Sequence, residues 1–239
     1  FEQRTRLVNA ERALQTKTTK KALEDQRIAT NKIGERRRWL SDLQRTELVP
    51  GDSRIYPDWY APVLIVENGQ RKVVPMRYHC LPAGKPAFFD RKYPGTFNAR
   101  RDSLESYWKG TWGVSHGVLL TTAFFEHVNR HNLEGRALRE GEEPEDVVIR
   151  FQPNTGGDML AACLWSKWTA PGQRDLWSFA AITDEPPPEV AAAGHDRCVI
   201  PLKREHLDEW LSPDQGNLKR QYEILDDRER PYYEHRLAA

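Results

Sequence analysis

No stretch of this 239-residue chain approaches 18 consecutive apolar residues, so no membrane-spanning helix is predicted. No charged-then-apolar leader follows Phe1, which speaks against a secretory signal. Cysteine is scarce: Cys80, Cys163 and Cys198 are the whole set. An odd, widely spaced trio argues against a disulfide framework and for a reducing, cytoplasmic setting. A Gly-rich phosphate loop, a Gly-x-Ser-x-Gly elbow, a His-Glu-x-x-His pair and a Cys-x-x-Cys pair are all missing. Their absence argues against P-loop nucleotide chemistry, a serine hydrolase of that type and a zinc protease, and no cofactor is expected. His79 beside Cys80, and His195 near Cys198, put zinc-type ligands close together but without paired spacing, so no metal is expected. Cys163 lies in the run Leu160-Ala161-Ala162-Cys163-Leu164-Trp165, where a small buried hydrophobe fits better than a nucleophile.

What is present is a polar, globular composition, 38% hydrophobic and 30% charged. The length suits one large domain or two small ones. The net charge of +1 does not by itself suggest a nucleic-acid partner, but its distribution is uneven. Residues 1–49 hold 12 Lys/Arg against seven Asp/Glu, leaving the remainder at −4. Residues 4–47 lack Pro, are rich in Arg, Lys, Glu, Gln, Ala and Leu, and read as helix, with a thin apolar stripe through Leu7, Leu14, Ile28, Leu40 and Leu43. Residues 1–50 are therefore expected to form a basic helical segment packed on a domain spanning 51–239. Arg36-Arg37-Arg38 reads as a solvated helix face or as a phosphate-contacting patch.

Beyond residue 55 the pattern turns to strands. Val63–Val66 and Lys72–Val74 flank Asn68-Gly69, a hairpin signal. Further strands are predicted over 117–125, 147–152, 159–165 and 177–183. Helices are predicted over 101–109 and 201–211, an excursion over 129–145, a rigid loop at Pro186-Pro187-Pro188, and a charged surface tail over 212–239. Strands do not alternate with helices, so the fold class is α+β, with a mostly antiparallel, barrel-like sheet and surrounding helices.

Three segments can carry chemistry. Asn98-Ala99-Arg100, if extended, projects an amide and a guanidinium from one face, a pair suited to a phosphate and a sugar or base edge. Phe124-Phe125-Glu126 ends an apolar run on a carboxylate. Such a group is either drawn into the core with a raised pKa, useful for proton transfer, or faces water at a strand end. Gly194-His195-Asp196-Arg197 follows the Pro-rich loop and sets an imidazole beside a cation, in a structural or a catalytic role.

In this order the segments resemble the SRAP family, the SOS response-associated peptidases. The family pattern runs Met-Arg-Trp-Gly-Leu-x-Pro, Asn-Ala-Arg, Phe-Tyr-Glu-Trp, Leu-Trp-x-x-Trp and His-x-Arg-Met-Pro. Here it reads Met76-Arg77-Tyr78-His79-Cys80-Leu81-Pro82, Asn98-Ala99-Arg100, Phe124-Phe125-Glu126-His127, Leu164-Trp165-Ser166-Lys167-Trp168 and His195-Asp196-Arg197-Cys198. The Trp after the Glu and the Met after the Arg are lost.

The resemblance implies a protein of the DNA damage response that binds single-stranded DNA and traps abasic sites, nucleoid-associated when on DNA. The family's leading Cys, exposed by removal of the residue before it, forms a thiazolidine with the opened sugar. The resemblance implies Glu126 and His195 as catalytic residues, and Asn98, Arg100, Arg77 and Arg197 as DNA contacts. Residue 1 is Phe and no Cys precedes Cys80. The expectation is that the sequence begins downstream of the leading Cys. The alternatives are a non-catalytic nucleic-acid-binding module and an interaction protein of mobile-element origin.

Overall fold

The stretch predicted as one helix is two: α1 (Glu2–Thr16) and α2 (Lys20–Gln44), in a computed structural model that describes residues 1–238. The chain turns at Lys17-Thr18-Thr19, where the Thr19 hydroxyl accepts from the Ala22 amide at 3.1 Å and caps α2. A seven-residue apolar spacing suits one long helix or a hairpin equally, so spacing could not place this turn. Ala10, Ala22 and Ala29 form the buried seam. Arg6 and Asp25 tie the helices together at 2.6 Å. Leu40 and Leu43, read as part of the stripe, are exposed.

Residues 1–54 make one unit and the chain from Ile55 makes a second. Among the described residues the second is built on ten strands: β1 (Tyr60–Glu67), β2 (Gln70–Tyr78), β3 (Asn98–Arg100), β4 (His116–Thr121), β5 (Phe124–Asn129), β6 (Asp146–Pro153), β7 (Met159–Trp168), β8 (Leu176–Asp184), β9 (Cys198–Val199) and β10 (Tyr233–Leu237). Five close on themselves in the order β2-β1-β4-β7-β8, antiparallel except where β8 meets β2 in parallel. The fold is α+β with a barrel-like sheet, as predicted. Asn68 and Gly69, at φ 55° and 73°, make the predicted hairpin turn between β1 and β2. Inside the ring pack Val63, Ile65, Met76, Cys163 and Phe179. Gly117 lies among them, where a Cβ would stand 3.0 Å from Val63 and 3.1 Å from the Cys163 sulfur.

The other face of the barrel is covered by Trp108, Trp112 and Trp210 and by two helices, α6 (Leu207–Leu211) and α7 (Leu218–Asp226). The short helices α3 (Phe89–Lys92), α4 (Arg130–Leu133) and α5 (Pro188–Ala192) punctuate the loops. A second, antiparallel sheet runs β10-β6-β5.

Several local expectations change. The run 117–125 breaks at Thr122-Ala123, and its halves join different sheets. Residues 101–109 form a 3-10 turn and further turns rather than an α-helix. Of 201–211 only the last five residues are α-helical. The tail does not simply cover the surface: α7 buries Gln221, Ile224 and Leu225, and β10 pairs with β6. Its charges masked a helical stripe of three and four. No helix among the described residues is long and apolar enough to cross a membrane.

Candidate functional site

The edge of β8 organises the first half of the site. Phe179 is in register with Tyr78 of β2, and Ala181 with Asn98 of β3. Ala99 is buried, so its neighbours Asn98 and Arg100 share the opposite face, as the extended reading expected. The Tyr78 ring stacks on Phe179 at 5.1 Å, and its hydroxyl donates to Asn98 Oδ1 at 3.3 Å. With the amide oxygen engaged, the Asn98 NH2 group is the end left to face a ligand. Burial, reinforced by the Glu126 charge, raises the Tyr78 phenol and keeps it a donor.

Arg77, one residue earlier, turns the other way. Its guanidinium reaches Asp90 Oδ2 at 2.5 Å and the His79 carbonyl at 3.0 Å. Asp90 is buried, and its acidity balances two opposed effects: burial raises the pKa, but Arg77 lowers it further, and the net shift is downward. His79 sits at φ 147°, a backbone region that favours glycine, and the family pattern has glycine at this place. Its Nδ1 lies 2.9 Å from Asp58 Oδ1.

The second half of the site comes from β5 and the loop after α5. Val190 and Ala193 of that segment pack into the core of the second sheet with Phe124, Ile149 and Phe151. This docking delivers His195 to Glu126: Nε2 lies 3.0 Å from Glu126 Oε2. The other ring nitrogen, Nδ1, is 2.9 Å from the Arg197 carbonyl. A carbonyl only accepts, so Nδ1 must carry a proton. A neutral ring would then turn a bare Nε2 lone pair towards a carboxylate, which is repulsive. The contact is favourable only if one further proton is held between Nε2 and Oε2. Burial alone would lower the His195 pKa, but Glu126 and the Arg197 carbonyl outweigh it and the net shift is upward. Glu126 is thus neither a water-facing strand end nor an isolated buried acid; it is one half of a proton-sharing pair.

Asp196 joins this pair to the arginines. Its carboxylate takes Arg197 Nε at 2.9 Å and lies 3.8 Å from Arg100 Nη1. Arg197 is the main reason the Asp196 pKa is lowered. Arg100 and Arg197 also line one small cavity of about 40 Å³ with Arg101, Asp102 and Thr183. Both guanidinium groups are partly exposed. The structure therefore brings together Glu126 with His195, Asn98 with Tyr78, and Arg100 with Arg197, while Arg77 faces Asp90.

Burial pushes the Cys80 and Cys198 thiols up to about 12 and Cys163 higher still. All three stay protonated near neutrality and are poor nucleophiles. Among the described residues Glu205, His206 and Asp227 bring ligand atoms within 4.8 Å of one another. Lys203 Nζ already sits 2.5 Å from Asp227 there, supplying the positive charge. Sequence reasoning gave no role to Tyr78, Asp90 or Asp196. Tyr78 and Asp196 lie inside the quoted runs, so position was the available signal. Nothing local marked Asp90, which meets Arg77 across a loop.

Gly194 sets the approach of His195. Its φ is +93°, and a Cβ there would stand 2.9 Å from Asn132 Cβ. Gly194→Ala is expected to destabilise the fold by about 1–3 kcal/mol through strain and overpacking. It should also displace the imidazole from Glu126. Urea denaturation and the His195 ring resonances check this; an unchanged midpoint with unchanged resonances would remove Gly194 from the site's construction.

A family model described as SOS response associated peptidase (SRAP) matches residues 12–237. Among solved structures, a Bordetella bronchiseptica protein is similar at 18% identity and a TM-score of 0.58, over 77% of this chain and 86% of its own. A Bacteroides thetaiotaomicron protein is similar at 14% and 0.57, over 76% and 75%. A phage-related protein from B. bronchiseptica is similar at 18% and 0.56, over 77% and 80%. At these identities the likeness concerns the fold alone. Among curated proteins none matches this chain.

Proposed function

The chain belongs to the SRAP family, with the DNA-damage-associated role that membership carries, and on that premise we propose that it binds single-stranded DNA and serves the trapping of abasic sites. The observation that supports this most is the 3.0 Å contact between His195 Nε2 and Glu126 Oε2, across which a proton can be shared. An abasic deoxyribose is mostly a closed hemiacetal. Opening it moves a proton from the C1 hydroxyl to the ring oxygen, and an acid–base pair accelerates such transfers. An α-amine then adds to the aldehyde and water leaves as an imine forms, which again needs a proton donor. A thiol on the adjacent carbon adds to the imine carbon and closes a thiazolidine. Removal of a residue ahead of the nucleophile would use the same pair. The family's nucleophile, a leading Cys, is not among these 239 residues.

Arg100 and Arg197 are the phosphate contacts in this reading, and the Asn98 amide takes a sugar or base edge. Arg77 supports them by holding the end of β2. Binding of a fluorescent abasic oligonucleotide across a salt titration tests the assignment. Arg100→Ala should weaken binding and flatten the slope of log K against log salt by about 0.7, the value for one phosphate of a single strand. On a denaturing gel the Phe1 chain should give no heat-stable band unless borohydride reduces an imine. Failure to bind single strands would overturn the reading. A heat-stable, unreduced band would show that a different nucleophile acts.

A further inference from the structure

The hairpin of α1 and α2 carries charge that the site above does not use. Residues 1–54 hold 13 Lys/Arg against eight Asp/Glu, while 55–239 hold 23 against 27. The excess is concentrated. A groove of about 500 Å³ between the start of α1 and the middle of α2 is lined by Arg4, Lys32, Arg36 and Arg37, with Ile33 and Leu40 between them. Two carboxylates, Glu2 and Glu35, also line it.

Elsewhere in the same unit Arg6 pairs with Asp25, Arg27 with Glu24 and Arg45 with Asp52, while Arg12 and Arg38 have no ion pair among the described residues. None of the four groove cations has an ion-pair partner among the described residues. Arg36 instead lies 4.0 Å over the ring of Trp39, which is half exposed. Four clustered cations repel one another, and a polyanion relieves that repulsion while releasing its own counterions. An exposed aromatic beside a guanidinium adds a stacking surface for a base.

We propose that this groove is a second nucleic-acid contact, gripping the phosphate backbone independently of the Glu126–His195 site. The proposal rests on the nucleic-acid reading above. An anionic lipid surface is the competing polyanion. It is disfavoured because the exposed large apolar residues of α2 lie at its two ends, Leu23 at one and Trp39, Leu40 and Leu43 at the other, and do not run along its length as an interfacial helix requires.

The test is the full chain carrying R36A/R37A, with R36K/R37K as the charge-preserving control. Alanine is the strongest helix former, so the helical circular dichroism should be unchanged. Single-stranded and duplex oligonucleotides, and vesicles containing anionic phospholipid, are the three probes. On single strands R36A/R37A should flatten the salt slope by about 1.4, and on duplex by about 1.8, for two phosphates lost. R36K/R37K should restore most of it. Unchanged slopes on both nucleic acids would overturn the proposal, and so would weakened binding to vesicles alone. If Arg100→Ala weakens binding and R36A/R37A does not, only the hairpin contact falls. The reverse pattern removes Arg100 and leaves the hairpin.

Discussion

Asp90→Ala is expected to destabilise the protein by about 3 kcal/mol at pH 7, the low end for breaking a buried ion pair. The low end applies because the Asp90 side chain is 6% exposed but that of Arg77 is 17%. Loss of the carboxylate leaves the Arg77 guanidinium with the His79 carbonyl and the more distant, exposed Asp58 carboxylate at 4.0 Å as its remaining partners. The pair also holds the end of β2, and with it Tyr78 and the Asn98 amide. The pH dependence has a definite sign. The folded pKa of Asp90 lies below its ordinary 3.8, so its stabilisation is complete above that value and is lost as pH falls through the lower folded value. The gap between wild type and Asp90→Ala in urea denaturation should therefore be widest near neutrality and narrow below pH 4. A gap under about 1 kcal/mol at pH 7, typical of an exposed pair, would deny the ion pair this role.

Glu126→Gln should have the largest chemical effect. Burial lowers the His195 pKa, and removing the carboxylate removes the main opposing contribution. The imidazole is then expected to titrate below 6.5 rather than above it. The Gln amide can donate to a bare Nε2, which would lock the ring neutral, with the Nδ1 proton on the Arg197 carbonyl. The variant can hold the geometry but cannot pass a proton. In a form of the protein that begins with the family's Cys, adduct formation should slow by about 100-fold or more. The stability sign is opposite to that of Asp90. A raised His pKa stabilises fully below the unfolded value of about 6.5, and that contribution is lost as pH rises through the folded value. An NMR titration of the His195 ring in both proteins decides the matter; identical curves would break the Glu126–His195 coupling on which the proposed function stands.

The sequence by itself determined the barrel class, the hairpin at Asn68-Gly69 and the residue types that the site uses. These are local properties: short apolar runs, a left-handed turn dipeptide, and short ordered motifs. Tertiary structure decided which of those residues meet. Tyr78 reaches Asn98 because β8 pairs with β2 and then β3 along one edge. His195 meets Glu126, 69 positions earlier, because Val190 and Ala193 dock on the second sheet. Arg77 and Arg197 read alike in sequence as basic motif residues, yet one is paired with buried Asp90 and the other borders the Arg100 cavity. The two helices of residues 2–44 were hidden in the same way, since a turn at Lys17–Thr19 leaves the apolar spacing intact. Spacing records which side of an element is apolar, but only the folded chain sets which elements those sides oppose, and that opposition decides whether a charged group is paired or faces a ligand.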